Sequence, residues 1–375
     1  LDKYKNCERQ WQQRKIGALF FLKKNKNQVK LIIFVTMILV TGGTGLVGAH
    51  LLLHLLENGA NTVRAIYRDS KNTDKTKALF NLYEKEALFE KIEWVSADIL
   101  DIPALEIAFQ EVDYVYHCAA LISFDPAEEV NLRKVNIEGT ANIVNFCIDK
   151  KVKKLCHVSS IAALGDLLTS ENKNTNQTPI NEQTEWNPEV AHSDYAISKY
   201  GAEMEVWRGF QEGLSVVIVN PGIILGPGFW NQGSGILFQT VKKGISFYTI
   251  GSTGYVSVID VVTIMHRLMN SDCNGEKYIL ISENYTYKDI LVIIADKLDL
   301  KKPSIQASLG MLNLALLLDW IKSTLFQTKR KLSKTGVASL ISQTVFSNDK
   351  IKKELNYSFT NVEDYITTII PYYKN

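Results

Sequence analysis

Cysteine is scarce in this chain and has no pattern. The five cysteines (Cys7, Cys118, Cys147, Cys156 and Cys273) form no C-x-x-C pair. An odd, scattered set excludes a disulfide framework and a zinc site, and points to reduced thiols in a cytoplasmic protein. No metal centre is expected. Charge of one sign is also missing. The net charge is +2, so nothing general draws the chain to nucleic acid. Long uncharged apolar runs are absent too. The run from Leu31 collapses into glycines within about a dozen residues, short of the ~20 that a spanning helix needs. The stretch Leu309 to Phe326 is apolar but broken by Asn313, Asp319 and Lys322. It reads as a helix packed on the protein or an interfacial helix, and core packing is the expectation. No internal repeat appears.

What is present suffices for a sizeable core: 375 residues, 46% of them hydrophobic and 22% charged. The chain is organised around Met37-Ile-Leu-Val-Thr-Gly-Gly-Thr-Gly-Leu-Val-Gly-Ala-His50. Ile38 to Val40 read as a buried strand and the glycines as a tight turn. From Leu46 onward, Leu46, Val47, Leu51, Leu52 and Leu55 share one helical face. Two spacings fit together, G-x-G-x-x-G at Gly43, Gly45 and Gly48, and G-x-x-G-x-x-G at Gly42, Gly45 and Gly48. Glycines let the backbone approach a pyrophosphate, and the helix N-terminus stabilises its charge.

Residues 1 to 36 differ in composition from the rest of the chain. Nine basic residues from Lys3 to Lys30 face only Asp2 and Glu8. They read as a basic membrane-surface arm or targeting segment, or as sequence upstream of the natural start at Met37. The second reading is the expectation, with residues 1 to about 30 poorly ordered.

Strands are predicted at Thr62 to Tyr67, Ile92 to Val95, Val112 to His117, Lys154 to Val158 and Val216 to Val219. Helices alternate with them, one from Val130 to Ile148 and one from Tyr195 through Trp207. That alternation predicts an α/β fold with a doubly wound parallel sheet of the Rossmann type. Residues 37–228 form the dinucleotide domain. After Phe229 the alternation weakens, and 229–375 form mainly a smaller α/β substrate lobe, interleaved with that core, with short strands at Tyr255 to Asp260 and Tyr278 to Ile281. Asp166 to Asp194 is polar and irregular, a surface insertion or a lid.

About 20 positions past the glycines, a carboxylate binds a ribose 2′-OH and an arginine binds a 2′-phosphate. Arg68 comes first there, with Lys71 and Lys75 nearby and Asp69 as a complication, so NADP is favoured and NAD stays open. Tyr195 and Lys199 lie one turn apart on a helix, about 40° apart around the axis. A lysine ammonium lowers a phenol from its usual pKa of about 10 toward neutral. Tyr195 then serves as proton donor or acceptor while a cofactor supplies hydride, and Ser160, at a strand end, shares the substrate oxygen. His117 reads as a packed strand histidine.

These pieces together resemble the extended short-chain dehydrogenase/reductases, the NAD-dependent epimerase/dehydratase group. The matching residues are Thr41-Gly-Gly-Thr-Gly-Leu-Val-Gly48, Asp98, His117-Cys-Ala-Ala120, Asn136-Ile-Glu-Gly-Thr140, Val158-Ser-Ser160, Tyr195-Ala-Ile-Ser-Lys199 and Asn220-Pro-Gly222. They run in the family's order from Met37 to about Tyr373. The resemblance implies a catalytic set of Ser160, Tyr195 and Lys199, with Ser159 as the fallback hydroxyl. It implies cofactor contacts from Thr41, Gly42, Gly45, Leu46, Val47 and Gly48. Arg68 would face NADP, Asp98 the adenine, Ala119 and Ala120 the cofactor path, Lys199 the nicotinamide ribose and Pro221 the carboxamide. Ile99, Asn136, Ser159, Tyr195 and Gly222 complete the cofactor set.

The segment Val63 to Arg68 is most similar to plant dihydroflavonol reductases, and Ser-Ser-Ile to 3β-hydroxysteroid dehydrogenases. Dehydratases carry Thr-Asp-Glu where this chain has Ser160-Ile161-Ala162. The resemblance therefore implies a carbonyl reductase or alcohol dehydrogenase acting on a small molecule, with an NAD-retaining sugar-nucleotide epimerase as the enzyme alternative. A non-catalytic NADP-binding sensor or scaffold is the alternative of another class. Family members often form homodimers through two helices of the nucleotide domain.

Overall fold

The β-branched and aromatic runs separate into short strands because small or turn-forming residues end each one. In the computed structural model, which describes residues 19–25, 28–34, 36–60, 62–165, 178–330 and 332–374, seven of them make one parallel sheet. They are β1 (Met37–Thr41), β2 (Thr62–Tyr67), β3 (Ile92–Ser96), β4 (Tyr114–His117), β5 (Lys154–Val158), β6 (Val216–Pro221) and β7 (Glu276–Leu280). Their order is β7-β6-β5-β4-β1-β2-β3. All six residues of β6 are buried, as in a strand covered on both faces.

Helices cover both faces. On one, Leu51, Leu52 and Leu55 of α1 (Leu46–Glu57) pack with Val261 and Met265. On the other, Ile143 and Val144 of α2 (Gly139–Asp149) pack with Val206 of α3 (Asp194–Gln211). The order reverses between β1 and β4, and the crevice at such a switch point is where open α/β sheets bind ligands.

Four sequence expectations change. The strand foreseen near Tyr278 as part of the smaller lobe instead pairs in parallel with β6 and closes the edge of the main sheet. The helix foreseen from Val130 to Ile148 is interrupted by a π-helical turn, Lys134–Glu138, which carries Asn136. Leu19–Asn25, within the stretch to about residue 30 expected to be poorly ordered, pairs with Gln28–Phe34 as an antiparallel hairpin that, among the described residues, joins no other sheet. Residues 1–18 of that segment lie outside the described residues. The expected core helix, Leu309–Phe326, buries only Leu312. Its apolar side chains face outward, because the lobe beneath offers it a single narrow contact.

The smaller lobe is a three-stranded sheet of Glu283–Thr286, Ser252–Ser257 and Ile223–Leu225, with flanking helices. In the segment expected as insertion or lid, residues 166–177 lie outside the described residues. The rest is pinned. Ile180 donates its N–H to Val345, Ile279 donates to Glu182, and Trp186 stacks on both His192 and Tyr200.

Candidate active site

The glycine turn brings three elements into backbone contact. Gly42 has φ +69°, and a Cβ there would lie 2.7 Å from the backbone of Cys118 and Ala119 beyond β4. A Cβ on Gly48 would strike the Gly42 carbonyl oxygen. Gly45 caps α1 with no side chain on the cap, and the first turn carries no acidic residue. The Gly45 N–H is spent on the Gly42 carbonyl at 3.0 Å and closes the turn, so the first amides of α1, those of Leu46 and Val47, are the ones left to an anion in the crevice, with no acidic side chain in the first turn to compete. This cradle fits a dinucleotide pyrophosphate, and side chains at Gly42 or Gly48 would force apart the backbone segments that shape it.

Behind the turn runs a closed hydrogen-bond chain. The Ala119 N–H donates to Thr41 Oγ1 (3.2 Å), which donates to His117 Nδ1 (2.7 Å). His117 Nε2 meets Thr140 Oγ1 at 3.0 Å, and Thr140 donates to the Asn136 carbonyl. With both hydroxyl protons already directed, His117 carries its proton on Nε2. Burial holds its pKa down at about 3, so the ring is neutral and fully engaged. It is a structural histidine.

Tyr195, Lys199 and Ser160 converge above the ends of β5 and β6. The Ser193 hydroxyl caps α3, fixing Tyr195 in its first turn. Ser160 lies two residues past β5, its Oγ accepts the Ala162 N–H at 3.1 Å, and the same hydroxyl is near enough to the Tyr195 phenol to favour its ionised form. Burial raises the Tyr195 pKa, and that Ser160 hydroxyl is what pulls it back. The expected lowering by Lys199 is absent, because Lys199 Nζ instead donates to the Val158 carbonyl at 2.9 Å. Burial lowers Lys199 itself to about 8, opposed by Glu203 and Cys118. Ser159 is buried beside Glu203, one residue away from the phenol contact.

Asn136, expected in the cofactor set, spends both ends of its amide within the protein. Its Oδ1 accepts from Leu121 N–H (2.7 Å), and its Nδ2 donates to the Leu121 carbonyl and Ser198 Oγ. It ties the loop after β4 to α3. Ile99 is likewise buried, against Gly139. Ala119 and Ala120 line the crevice beyond β4, and Pro221 ends β6 with Gly222 pressed against the Gly254 carbonyl.

At the far end of the crevice, Arg68 beyond β2 and Asp98 beyond β3 approach to 3.8 Å, both accessible. Asp69 accepts the Lys71 N–H at 3.0 Å as the cap of a short helical turn. Its carboxylate is committed locally, while the Arg68 guanidinium is largely exposed and meets Asp98 only at 3.8 Å.

Sequence reasoning missed Glu203 and the role of Asn220. Glu203 is 1% exposed, and its carboxylate accepts from Asn220 Nδ2, which also donates to the Ser160 carbonyl at 2.9 Å. The available signal was spacing, since Glu203 stands four residues after Lys199 on one helix face. Phe124 was also missed. Its ring lies edge-on to Tyr195 at 5.8 Å and is 55% exposed, forming a rim to the site.

The geometry has the family's form, and the NAD dependent epimerase/dehydratase family model matches residues 38–281. The chain belongs to that family. It is an NAD(P)-dependent oxidoreductase of the extended short-chain dehydrogenase type, built to take a nicotinamide dinucleotide. It is similar to cinnamoyl-CoA reductase 1 of Petunia hybrida, 25% identical over 326 residues, covering 80% of this chain and 93% of that one. It is also similar to a bifunctional dihydroflavonol 4-reductase/flavanone 4-reductase of Pyrus communis, 27% identical over 274 residues, 69% of this chain and 75% of that one. Among solved structures it is similar to gox2253, with a TM-score of 0.73 and 26% identity, covering 90% of this chain and 98% of the other.

Proposed function

We propose that this family member interconverts a carbonyl and an alcohol on a small molecule, with NADP(H) as its preferred cofactor. The observation that carries the reading is the meeting of the Ser160 hydroxyl and the Tyr195 phenol, with Lys199 one turn along α3.

The bound nicotinamide would supply or accept hydride. The rest is the work of the chain's own residues. Ser160 and Tyr195 hydrogen-bond the substrate carbonyl oxygen and orient it. Tyr195 gives its proton to that oxygen as the alcohol forms. Burial keeps the phenol protonated at neutral pH, which suits reduction, and the Ser160 hydroxyl favours the phenolate once the proton has left. Lys199, whose Nζ is held by the Val158 carbonyl, would bind the nicotinamide ribose when the cofactor is present. Thr41, Gly42, Gly45, Leu46, Val47 and Gly48 would hold the pyrophosphate, Asp98 the adenine, and Ala119, Ala120, Pro221 and Gly222 would border the nicotinamide end.

Preference for NADP(H) is supported by the largely exposed Arg68 guanidinium, held only loosely by Asp98 at 3.8 Å, and by Asp69 being occupied as a cap. The four described cysteines are free, which suits a reducing compartment such as the cytoplasm. The test is oxidation of NADPH or NADH by the full chain with a panel of ketones and aldehydes. Turnover with NADPH preferred supports the reading. Cofactor binding without turnover on any carbonyl would favour the sensor alternative.

A further inference from the structure

The helix Leu309–Phe326, here α4, is the least accounted-for part of the molecule. Its contact face is narrow and holds Leu312, Ala315, Leu316, Asp319 and Ser323. Met311, Leu314, Leu317, Leu318, Ile321 and Leu325 point the other way, between 37% and 71% exposed. At 100° per residue these six fall within about 120° of arc. An outward stripe of this size exceeds the scattered apolar exposure normal for a water-facing surface.

We propose that α4 lies flat in the headgroup region of an anionic lipid surface and docks the protein there. Charge selects this occupant over a second copy of the chain. Residues 301–341 carry Lys301, Lys302, Lys322, Lys329, Arg330, Lys331 and Lys334 against a single acid, Asp319; Lys302 is paired with Asp296, Lys329 with Glu128 and Arg330 with Asp319, and the other four cations leave the segment with a positive surplus. Two such faces repel one another, whereas anionic headgroups attract them. Trp320, 51% exposed on the flank of the stripe, is suited to the boundary between headgroups and acyl chains.

The helix does not cross. Its 18 residues span about 27 Å, and both ends are held by the same body. Before it, Ile305–Gln306 pairs in parallel with Phe247–Tyr248. After it, the Arg330 N–H donates to Asp125, and Lys329 pairs with Glu128. Asp125 and Glu128 follow Phe124, which touches Tyr195, so the lipid-facing helix is tied to the rim of the candidate site. Exposed Ile122 and Phe124 extend the apolar surface there, an arrangement for an apolar substrate arriving from the lipid. That last link rests on the reductase reading. The docking does not.

The experiment is co-sedimentation of the full chain with vesicles of phosphatidylcholine alone or with about a third phosphatidylglycerol, at low and high salt. Binding to the anionic vesicles, weakened by salt, is expected. Leu314→Glu with Leu318→Glu should reduce it roughly tenfold or more. These side chains are exposed, so the melting temperature and NADPH binding should stay at parental values. Parental vesicle binding in the double variant would overturn the proposal. So would a chain that ignores both vesicles and runs as a dimer which the double variant splits, because the stripe is then a contact between copies. A monomer that binds neither vesicle also overturns it. None of these readouts uses turnover, so failure of the reductase reading stays distinguishable.

Discussion

Glu203 stands one helical turn beyond Lys199, fully buried, with its carboxylate held by the Asn220 amide. Burial raises its pKa, while Ser159, Lys277, Asn220 and Lys199 favour the charged form. Its charge in turn holds up that of Lys199. Glu203 is therefore a positioning residue that acts through Lys199 and, by way of Asn220, through the Ser160 backbone. Glu203→Gln keeps the hydrogen bond and removes the charge. The alkaline loss of NADP(H) affinity, which tracks deprotonation of Lys199, should then move down by on the order of one pH unit. An unmoved profile would leave Glu203 a merely structural acid.

Lys199 should register in stability as well. Its folded pKa, about 8, lies below the ordinary 10.5 because the ammonium is desolvated. Between those values the unfolded chain holds more protons, so stability rises with pH across that window. Below about 8 the cost of the buried charge is fully present. The melting temperature of the parent, minus that of Lys199→Met, should therefore climb from pH 7 to pH 10, roughly. A flat difference contradicts the buried-charge account. Turnover should be lost in the variant throughout.

His117 should behave as a brace. Since its pKa sits at about 3, no limb near pH 6.5 in the parent's pH profile should belong to it. His117→Phe takes the acceptor from the Thr41 hydroxyl and the donor from the Thr140 hydroxyl, leaving each with one partner fewer, and should cost about 1–3 kcal/mol. Denaturant unfolding measures that cost. A variant with parental stability and an altered pH limb would reverse the assignment.

Much of this was legible in the chain before folding, and what was not has definite causes. Thr62–Tyr67 and Lys154–Val158 match the predicted strands residue for residue, because each is a short strand-favouring run that polar or turn-forming residues end sharply. The glycine turn and the Tyr195–Lys199 spacing are local and read directly. The place of Glu276–Leu280 in the main sheet depends on pairing with a strand some 60 residues earlier, which no local pattern encodes. The helix Leu309–Phe326 misled because it is apolar on its contact face and its outer face alike. The commitments of Lys199 to Val158, Asn136 to Ser198 and Asp69 to Lys71 are side-chain choices that only packing decides.

Cofactor choice follows from the Arg68 end of the crevice. Arg68→Ala should weaken NADP(H) binding roughly tenfold or more, since a charge-assisted contact to phosphate is lost, and leave NAD(H) nearly unchanged. Titration of each reduced cofactor by protein fluorescence would show it. Equal affinity of the parent for both cofactors would return the role to Asp69 as a ribose ligand.

The central claim is that Tyr195 delivers the proton. Tyr195→Phe keeps the ring against Phe124 and removes the hydroxyl that Ser160 contacts. The decisive measurement is single-turnover oxidation of bound NADPH by a carbonyl that the parent reduces, with NADPH affinity determined on the same samples. The account predicts parental affinity and a rate lower by about 10²–10⁴. A Tyr195→Phe rate close to the parent's, at unchanged affinity, would contradict it.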